Sequence, residues 1–294
     1  MRPHASDLLL TAIAPAIWGS TYAVTTEFLP NYSPMTVAML RALPAGLLLL
    51  LIVRQLPTGI WWRRVFVLGA LNFSIFWWML FVSAYRLPGG VAATVGAVQP
   101  LIVVFLAAAL LGSRIRLPAI IAAVVGVCGV ALLVLTPRAE LDFVGIVSGF
   151  AGAASMALGT VLTRKWQPPV SLLTFTAWQL SAGGLLLVPM AVIIEGAIPA
   201  PIPENLIGLA WLGLIGAALT YVFWFRGVAR LQPAIVSSLG FLSPVTAVLL
   251  GWVFLNQQLS EFQVLGICLI LSSIWFGQRH TPRTLPPAGT RQPS

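Results

Sequence analysis

The chain has 294 residues, of which 59% are hydrophobic and only 8% are charged. Soluble domains carry roughly 25% charged residues, so this composition excludes a soluble enzyme and a disordered chain. A net charge of +9 would suggest nucleic acid as the partner of a soluble protein, but a mean hydropathy of +0.97 indicates a membrane protein instead. No nucleic-acid partner is predicted.

Ten apolar segments follow one another along the chain, each long enough to cross about 30 Å of hydrocarbon as an α-helix. They lack the alternating pattern of membrane-barrel strands. The predicted spans are Leu8–Leu29, Met35–Val53, Val65–Tyr85, Gly89–Leu111, Leu117–Thr136, Phe143–Thr163, Ser171–Ile194, Asn205–Phe225, Ala234–Leu255 and Phe262–Gln278. The predicted fold class is an all-α polytopic membrane protein with ten transmembrane helices.

The basic residues indicate how these helices are oriented. With the N-terminus in the cytoplasm, thirteen of the sixteen basic residues fall on the cytoplasmic side and only Arg86 and Arg138 fall outside. Positive charge accumulates on the cytoplasmic side of membrane proteins. We therefore expect both termini in the cytoplasm, a bacterial-type inner membrane as the location, and a disordered tail over 281–294.

The two halves of the chain resemble each other. Residues 86–100 match residues 230–244 at an offset of 144, including paired glycine and proline positions, and residues 46–49 match residues 184–187. Each half holds five spans, an odd number, so the halves lie upside down relative to each other. The sequence predicts a first repeat over 1–138, an inverted second repeat over 139–280, and a substrate site near the bilayer midplane.

Several short motifs resemble the drug/metabolite transporter superfamily, in particular its ten-helix EamA-type branch. They are Trp18-Gly19-Ser20, Ser33-Pro34 with Leu40-Arg41, Gln99-Pro100, Ser243-Pro244 and Asn256-Gln257, and the resemblance covers about residues 8–278. The resemblance implies a cavity lined by the first, third and fourth helices and by the sixth, eighth and ninth. It extends in general character to exporters of aromatic amino acids within this branch.

Aromatic and polar side chains placed inside the spans are the candidates for binding a substrate. Aromatic residues that only anchor a helix belong at the membrane interfaces, whereas most of these lie deeper. The predicted substrate-binding residues are Trp18, Tyr22, Asn72, Phe76, Trp77, Gln99, Thr220, Tyr221, Trp224 and Ser243. Two alternatives stay open: packing or lipid contact for the aromatic residues, and hydrogen bonding between helices for the polar ones.

Gly96 with Pro100 and Gly240 with Pro244 occupy matched positions within the fourth and ninth spans. Proline removes a backbone donor and frees a carbonyl, and paired interruptions of this kind point to transporter sites. We predict hinges or kinks there. The freed carbonyls either contact the substrate or only shape the cavity.

Arg41 is the one basic residue inside a span, about 9 Å below the outer end of the second helix at 1.5 Å per residue. The sequence favours a structural or gating ion pair between Arg41 and Glu27 over substrate binding.

These features predict an exporter of amino acids, aromatic or otherwise large and hydrophobic, that works by alternating access without obligatory proton coupling. The absence of a carboxylate from the midplane supports the last point. A multidrug or other metabolite exporter of the same fold is the alternative. Acidic clusters that would indicate a membrane enzyme are lacking, no cofactor or metal is expected, and the oligomeric state stays open.

Overall fold

The computed structural model describes residues 5–86, 95–134, 142–196, 198–254 and 260–279, and all regular structure among them is helical. Ten helices occupy the predicted spans. We label them α1 (Ala5–Trp18 and Thr21–Phe28), α2 (Pro34–Val53), α3 (Trp61–Gly69, Ala70–Ser74 and Ile75–Arg86), α4 (Gln99–Leu111), α5 (Leu117–Val134), α6 (Phe143–Lys165), α7 (Leu172–Met190 and Ala191–Glu195), α8 (Pro203–Ala210, Trp211–Leu219 and Thr220–Arg230), α9 (Pro233–Leu239 and Leu242–Phe254) and α10 (Glu261–Arg279).

Seven of these described helices are long and apolar enough to cross a membrane, and α4, α5 and α10 are shorter apolar helices. Large apolar side chains are exposed along them, among them Leu51, Phe105, Phe143, Ile193 and Phe254. Water disfavours such a surface and hydrocarbon accepts it. The all-α polytopic membrane fold is therefore confirmed.

Helix α3 begins at Trp61 and not at the predicted Val65, α8 extends beyond its predicted end, and α1 is interrupted. α8 runs from Pro203 to Arg230, beyond the predicted end at Phe225, because a helix continues through polar residues where hydropathy no longer marks a span. α1 is interrupted by a turn at Gly19 and Ser20, four residues after Pro15, where one continuous span was predicted.

Helix contacts show the two-fold relation between the halves. α2 packs along α7, α5 along α10, and α4 against α9, each pair joining matched helices of the two repeats. α3 packs on α6, and α1 packs on α8, which is the same contact after the halves are exchanged. This is the packing expected of two inverted five-helix repeats. The predicted junction at 138–139 and the predicted tail at 281–294 lie outside the described residues.

Glycine allows α2 and α7 to cross at very short range. A Cβ atom built on Gly184 would lie 2.7 Å from the backbone Cα and N of Leu43, and one built on Gly46 would meet the backbone of Ser181. Carbon contacts prefer 3.5–4.0 Å, so only glycine fits at either position. The similarity between residues 46–49 and 184–187 thus marks a contact that both halves use.

Candidate substrate site between the two halves

A π-helical segment lies in the middle of both α3 and α8. The segment in α3 covers Ala70–Ser74, and its counterparts at an offset of 144 lie within the segment Trp211–Leu219 of α8. π-Helical turns are uncommon and occur frequently at functional sites. They could not be predicted from the sequence, because a widened turn leaves the hydropathy of a segment unchanged.

Aromatic side chains of α1, α3 and α8 meet next to these segments. The ring of Trp18 lies 4.9 Å from that of Tyr221 and 5.1 Å from that of Trp224, measured between centroids. Phe73 completes this aromatic cluster, 4.7 Å from Tyr221 and 5.4 Å from Trp77. Offset and tilted rings at these separations attract one another. This aromatic cluster therefore has five members. They are the four predicted residues Trp18, Trp77, Tyr221 and Trp224, and Phe73, which was not predicted.

The carbonyl of Gly216, in the π-helical segment of α8, accepts hydrogen bonds from three side chains. The donors are Trp18 Nε1 at 3.1 Å, Thr220 Oγ1 at 2.9 Å and Arg41 Nη2 at 2.6 Å. Trp18 Nε1 also lies 3.0 Å from Thr220 Oγ1, to which it donates. A single backbone oxygen thus joins α1, α2 and α8. Thr220 and Trp18 belong to the predicted set, whereas the carbonyl itself could not be found from the sequence.

Arg41 is not brought to Glu27. Its guanidinium is buried beneath Gly216 and lies over Trp77, with 5.3 Å from Cζ to the ring centroid, while Glu27 is exposed. The described salt bridges do not include this pair. The predicted ion pair is therefore absent from this conformation, because Arg41 finds an acceptor and an aromatic face within the bundle.

Asn72 occupies the position in α3 that matches Gly216. Its amide nitrogen donates to Gln179 Oε1 at 2.8 Å and to Thr163 Oγ1 at 3.1 Å, which ties α3 to α7 and α6. Asn72 is 1% exposed, and its Oδ1 has no partner among the described residues. Of the two alternatives for this residue, the structure shows the bond between helices.

The remaining predicted residues lie around this centre. Phe76 packs at the edge of the main apolar cluster, and Gln99 holds a buried Nε2 atom without a described partner. The carbonyl of Ser243 lies beside Gly19, so the interruption of α1 faces α9. The side chain of Tyr22 lies outside what the structure describes.

Helices α4 and α9 are interrupted at the matched positions. A turn at 97–98 lies between Gly96 and the start of α4, and a turn at 240–241 divides α9. Bonds three residues apart mark both turns, from Leu101 N to Val98 O at 3.0 Å and from Ser243 N to Gly240 O at 3.1 Å. Pro100 and Pro244 lie within the first turn of the helical segments that follow. The predicted interruptions are present, and their use as hinges remains a prediction.

Two charged contacts were missed by the sequence analysis. Asp7 is 5% exposed and accepts from Arg226 Nε at 2.7 Å and Arg230 Nη1 at 3.3 Å, which joins α1 to the end of α8. At the opposite end, Glu195 accepts from the backbone amides that begin α2, Met35 N at 2.8 Å and Thr36 N at 2.7 Å. Both contacts join segments that are far apart in the sequence, so they could be predicted only from the way the inverted repeats pack.

Within the described residues, no group of three or more His, Cys, Asp and Glu side chains could hold a metal ion.

The inverted helical repeats and the polar and aromatic centre between them define a polytopic membrane transporter. The EamA-like transporter family model matches the chain twice, over residues 6–135 and 143–276, so each match covers five of the ten helices. The chain belongs to the EamA-like transporter family.

Similar proteins come from bacteria and plants. Protein PecM of Dickeya dadantii is 46% identical over 268 residues, covering 89% of this chain and 88% of PecM. A WAT1-related chloroplastic protein of Arabidopsis thaliana is 30% identical over 278 residues, covering 88% of this chain and 66% of the plant protein. The inner membrane transporter YedA of Escherichia coli is 26% identical over 263 residues, covering 88% of this chain and 86% of YedA.

A crystal structure that is 20% identical in sequence superposes with a TM-score of 0.80, covering 94% of this chain and 98% of the other. At this identity the likeness concerns the fold alone, which it supports over nearly the whole chain.

Proposed function

We propose that this transporter exports amino acids or similar metabolites with an aromatic or otherwise large hydrophobic side chain across a bacterial inner membrane. One observation carries the proposal: the aromatic cluster lies where the two repeats meet, beside the buried Arg41, which contacts its member Trp77. Aromatic walls favour a flat apolar group, and polar groups beside them fix its orientation.

The architecture supports alternating access as the proposed transport mechanism. The cluster is built from helices of both repeats, and of the two helices interrupted at matched positions, α9 packs on α1 and α4 packs on α9. Rocking of one repeat against the other around such a centre would expose it to each side in turn. Gly96, Pro100, Gly240 and Pro244 are the proposed bending points.

Proton coupling is not required in this proposal. Among the described carboxylates, Asp7 is the buried one, and two arginines already engage it near the cytoplasmic end of α1. The substrate would then move down its own gradient. Tests in proteoliposomes at equal pH on both sides address this directly, since loss of transport there would contradict it.

The test of function is counterflow in reconstituted vesicles with radiolabelled phenylalanine, leucine and alanine. We expect phenylalanine to exchange fastest, and Trp18→Ala to slow phenylalanine more than alanine because it removes one wall of the cluster. A matched control is Trp275→Ala on α10, an exposed tryptophan outside the cluster. Equal loss for every amino acid would contradict the proposed specificity.

A multidrug exporter would use the same aromatic cluster, so competition decides between the two functions. Unlabelled aromatic amino acids should compete with labelled phenylalanine, while cationic aromatic drugs should not.

We propose that both termini lie in the cytoplasm, as the distribution of basic residues supports. Reporter fusions at both termini test that orientation.

A further inference from the structure

Arg41 carries a charge that the described protein leaves largely unpartnered. The residue is 8% exposed and makes one hydrogen bond, to the Gly216 carbonyl, besides its contact with the face of Trp77. Its Nε atom is buried and has no partner among the described residues. A guanidinium carries five N–H donors, so most of its capacity to bind remains unused.

No described carboxylate neutralises this charge. Six of the seven acidic residues of the chain are described, and none lies within 4.0 Å of an Arg41 nitrogen. They lie elsewhere: Asp7 against two arginines, Asp142 against Arg86, Glu195 at the start of α2, and Glu27, Glu204 and Glu261 at the exposed surface.

The fold itself does not need a charge at this position. In the register that matches Gly46 with Gly184, Arg41 corresponds to Gln179 of α7. Both residues reach the π-helical segment of the facing repeat, Arg41 at Gly216 and Gln179 at Asn72. A neutral amide therefore suffices to join α7 to α3, whereas a charge within a membrane span is energetically unfavourable. Because burying the Arg41 charge is unfavourable and the fold does not require it, we expect the charge to serve a function.

We infer that Arg41 binds a carboxylate of the transported substrate, whose hydrophobic part contacts the aromatic cluster. Trp18 Nε1 and Arg41 Nη2 both donate to the one Gly216 oxygen, so the cation and the cluster lie within a few ångströms of each other. A guanidinium pairs with carboxylate through two parallel bonds, which gives both strength and orientation. The inference rests on the proposed function and adds the chemical group that the substrate must carry.

The first experiment compares two probes of nearly the same shape, one with a carboxylate and one with a neutral amide in its place. Binding of 3-phenylpropanoate and of 3-phenylpropanamide to the purified full-length protein is measured by intrinsic tryptophan fluorescence, since three tryptophans surround the site. We expect the carboxylate to bind at least about tenfold more tightly than the amide, because hydrogen bonds to charged groups are the stronger ones. Equal affinities, or no binding of 3-phenylpropanoate, would overturn the inference.

Variants then assign the preference to Arg41. In Arg41→Gln the preference for the carboxylate should fall to within about twofold, while Arg41→Lys, which keeps the charge without the fork, should give an intermediate value. Arg63→Gln, at an exposed arginine of α3, should leave the preference unchanged. Thermal unfolding shows which variants fold. If Arg41→Gln does not fold, the comparison of the two probes on the unmodified protein still tests the inference.

The outcomes separate this inference from the proposed function. Counterflow of phenylalanine with an unchanged probe preference in Arg41→Gln would leave the function standing and overturn the role of Arg41. An Arg41-dependent preference for the carboxylate without counterflow of any amino acid would support the binding site and overturn amino-acid export.

Discussion

Replacing Gly184 with alanine should destabilise the protein by forcing α2 and α7 apart. The added Cβ would lie 2.7 Å from Leu43 Cα, about 1 Å closer than carbon atoms normally approach. The two nearest atoms, Cα and N of Leu43, belong to the backbone, and the third is its Cβ, so none of them can rotate away. Overpacking costs about 1–3 kcal/mol, and the better helix propensity of alanine returns up to about 1 kcal/mol. A clash with backbone atoms belongs in the upper part of that range, about 2–3 kcal/mol, so we expect a net loss of about 1–2 kcal/mol in the free energy of unfolding.

Unfolding by sodium dodecyl sulfate in mixed micelles, followed by far-UV circular dichroism, measures this loss. The matched control is Gly277→Ala in α10, where the new Cβ would lie 3.5 Å from Ala122 Cβ, an ordinary contact. The control should unfold like the unmodified protein or at slightly higher detergent. If Gly184→Ala is as stable as Gly277→Ala, the result would contradict the close approach of α2 and α7 at Gly184.

Three further substitutions test other contacts. Asp7→Asn leaves its two arginines without a counter-ion and should cost about 1–3 kcal/mol in detergent unfolding, less than for a fully buried pair because both arginines are partly exposed; an unchanged midpoint would contradict the contact. Glu195→Gln weakens the cap on α2 and should cost about 1 kcal/mol, while Glu204→Gln, at an exposed acid in the first turn of α8, should cost at most about 0.3 kcal/mol. Trp18→Phe replaces the indole by a smaller aromatic ring and removes the donor to the Gly216 carbonyl and to Thr220 Oγ1, so unfolding should require at least about 1 kcal/mol less and tryptophan emission should change. A variant of unaltered stability would show that these bonds contribute nothing.

Hydropathy and charge predicted the ten helices correctly because crossing a membrane imposes length and apolarity on every segment. The repeat could be found as well, since glycine and proline keep their register where side chains diverge. The match between residues 46–49 and 184–187 marked a real crossing of helices, and the paired interruptions at 97–98 and 240–241 occur where Pro100 and Pro244 indicated them.

The sequence also identified most of the aromatic residues at the centre, because tryptophan and tyrosine deep within a span depart from their usual place at the interface. It did not identify their contacts. Arg41 was assigned to Glu27 because the two residues were expected to lie near the same end of neighbouring helices. The structure instead directs Arg41 to Gly216, which is 175 residues away.

The sequence by itself therefore determined the apolar helices, their number and the inverted repeat, since these depend on local composition and periodicity. Only the tertiary structure decided which groups meet. The carbonyl of Gly216 became an acceptor for three side chains through a widened turn of α8, and backbone carbonyls leave no mark in a sequence. Asp7 and Glu195 found partners more than 150 residues away, because interactions across the bundle depend on how the two repeats pack.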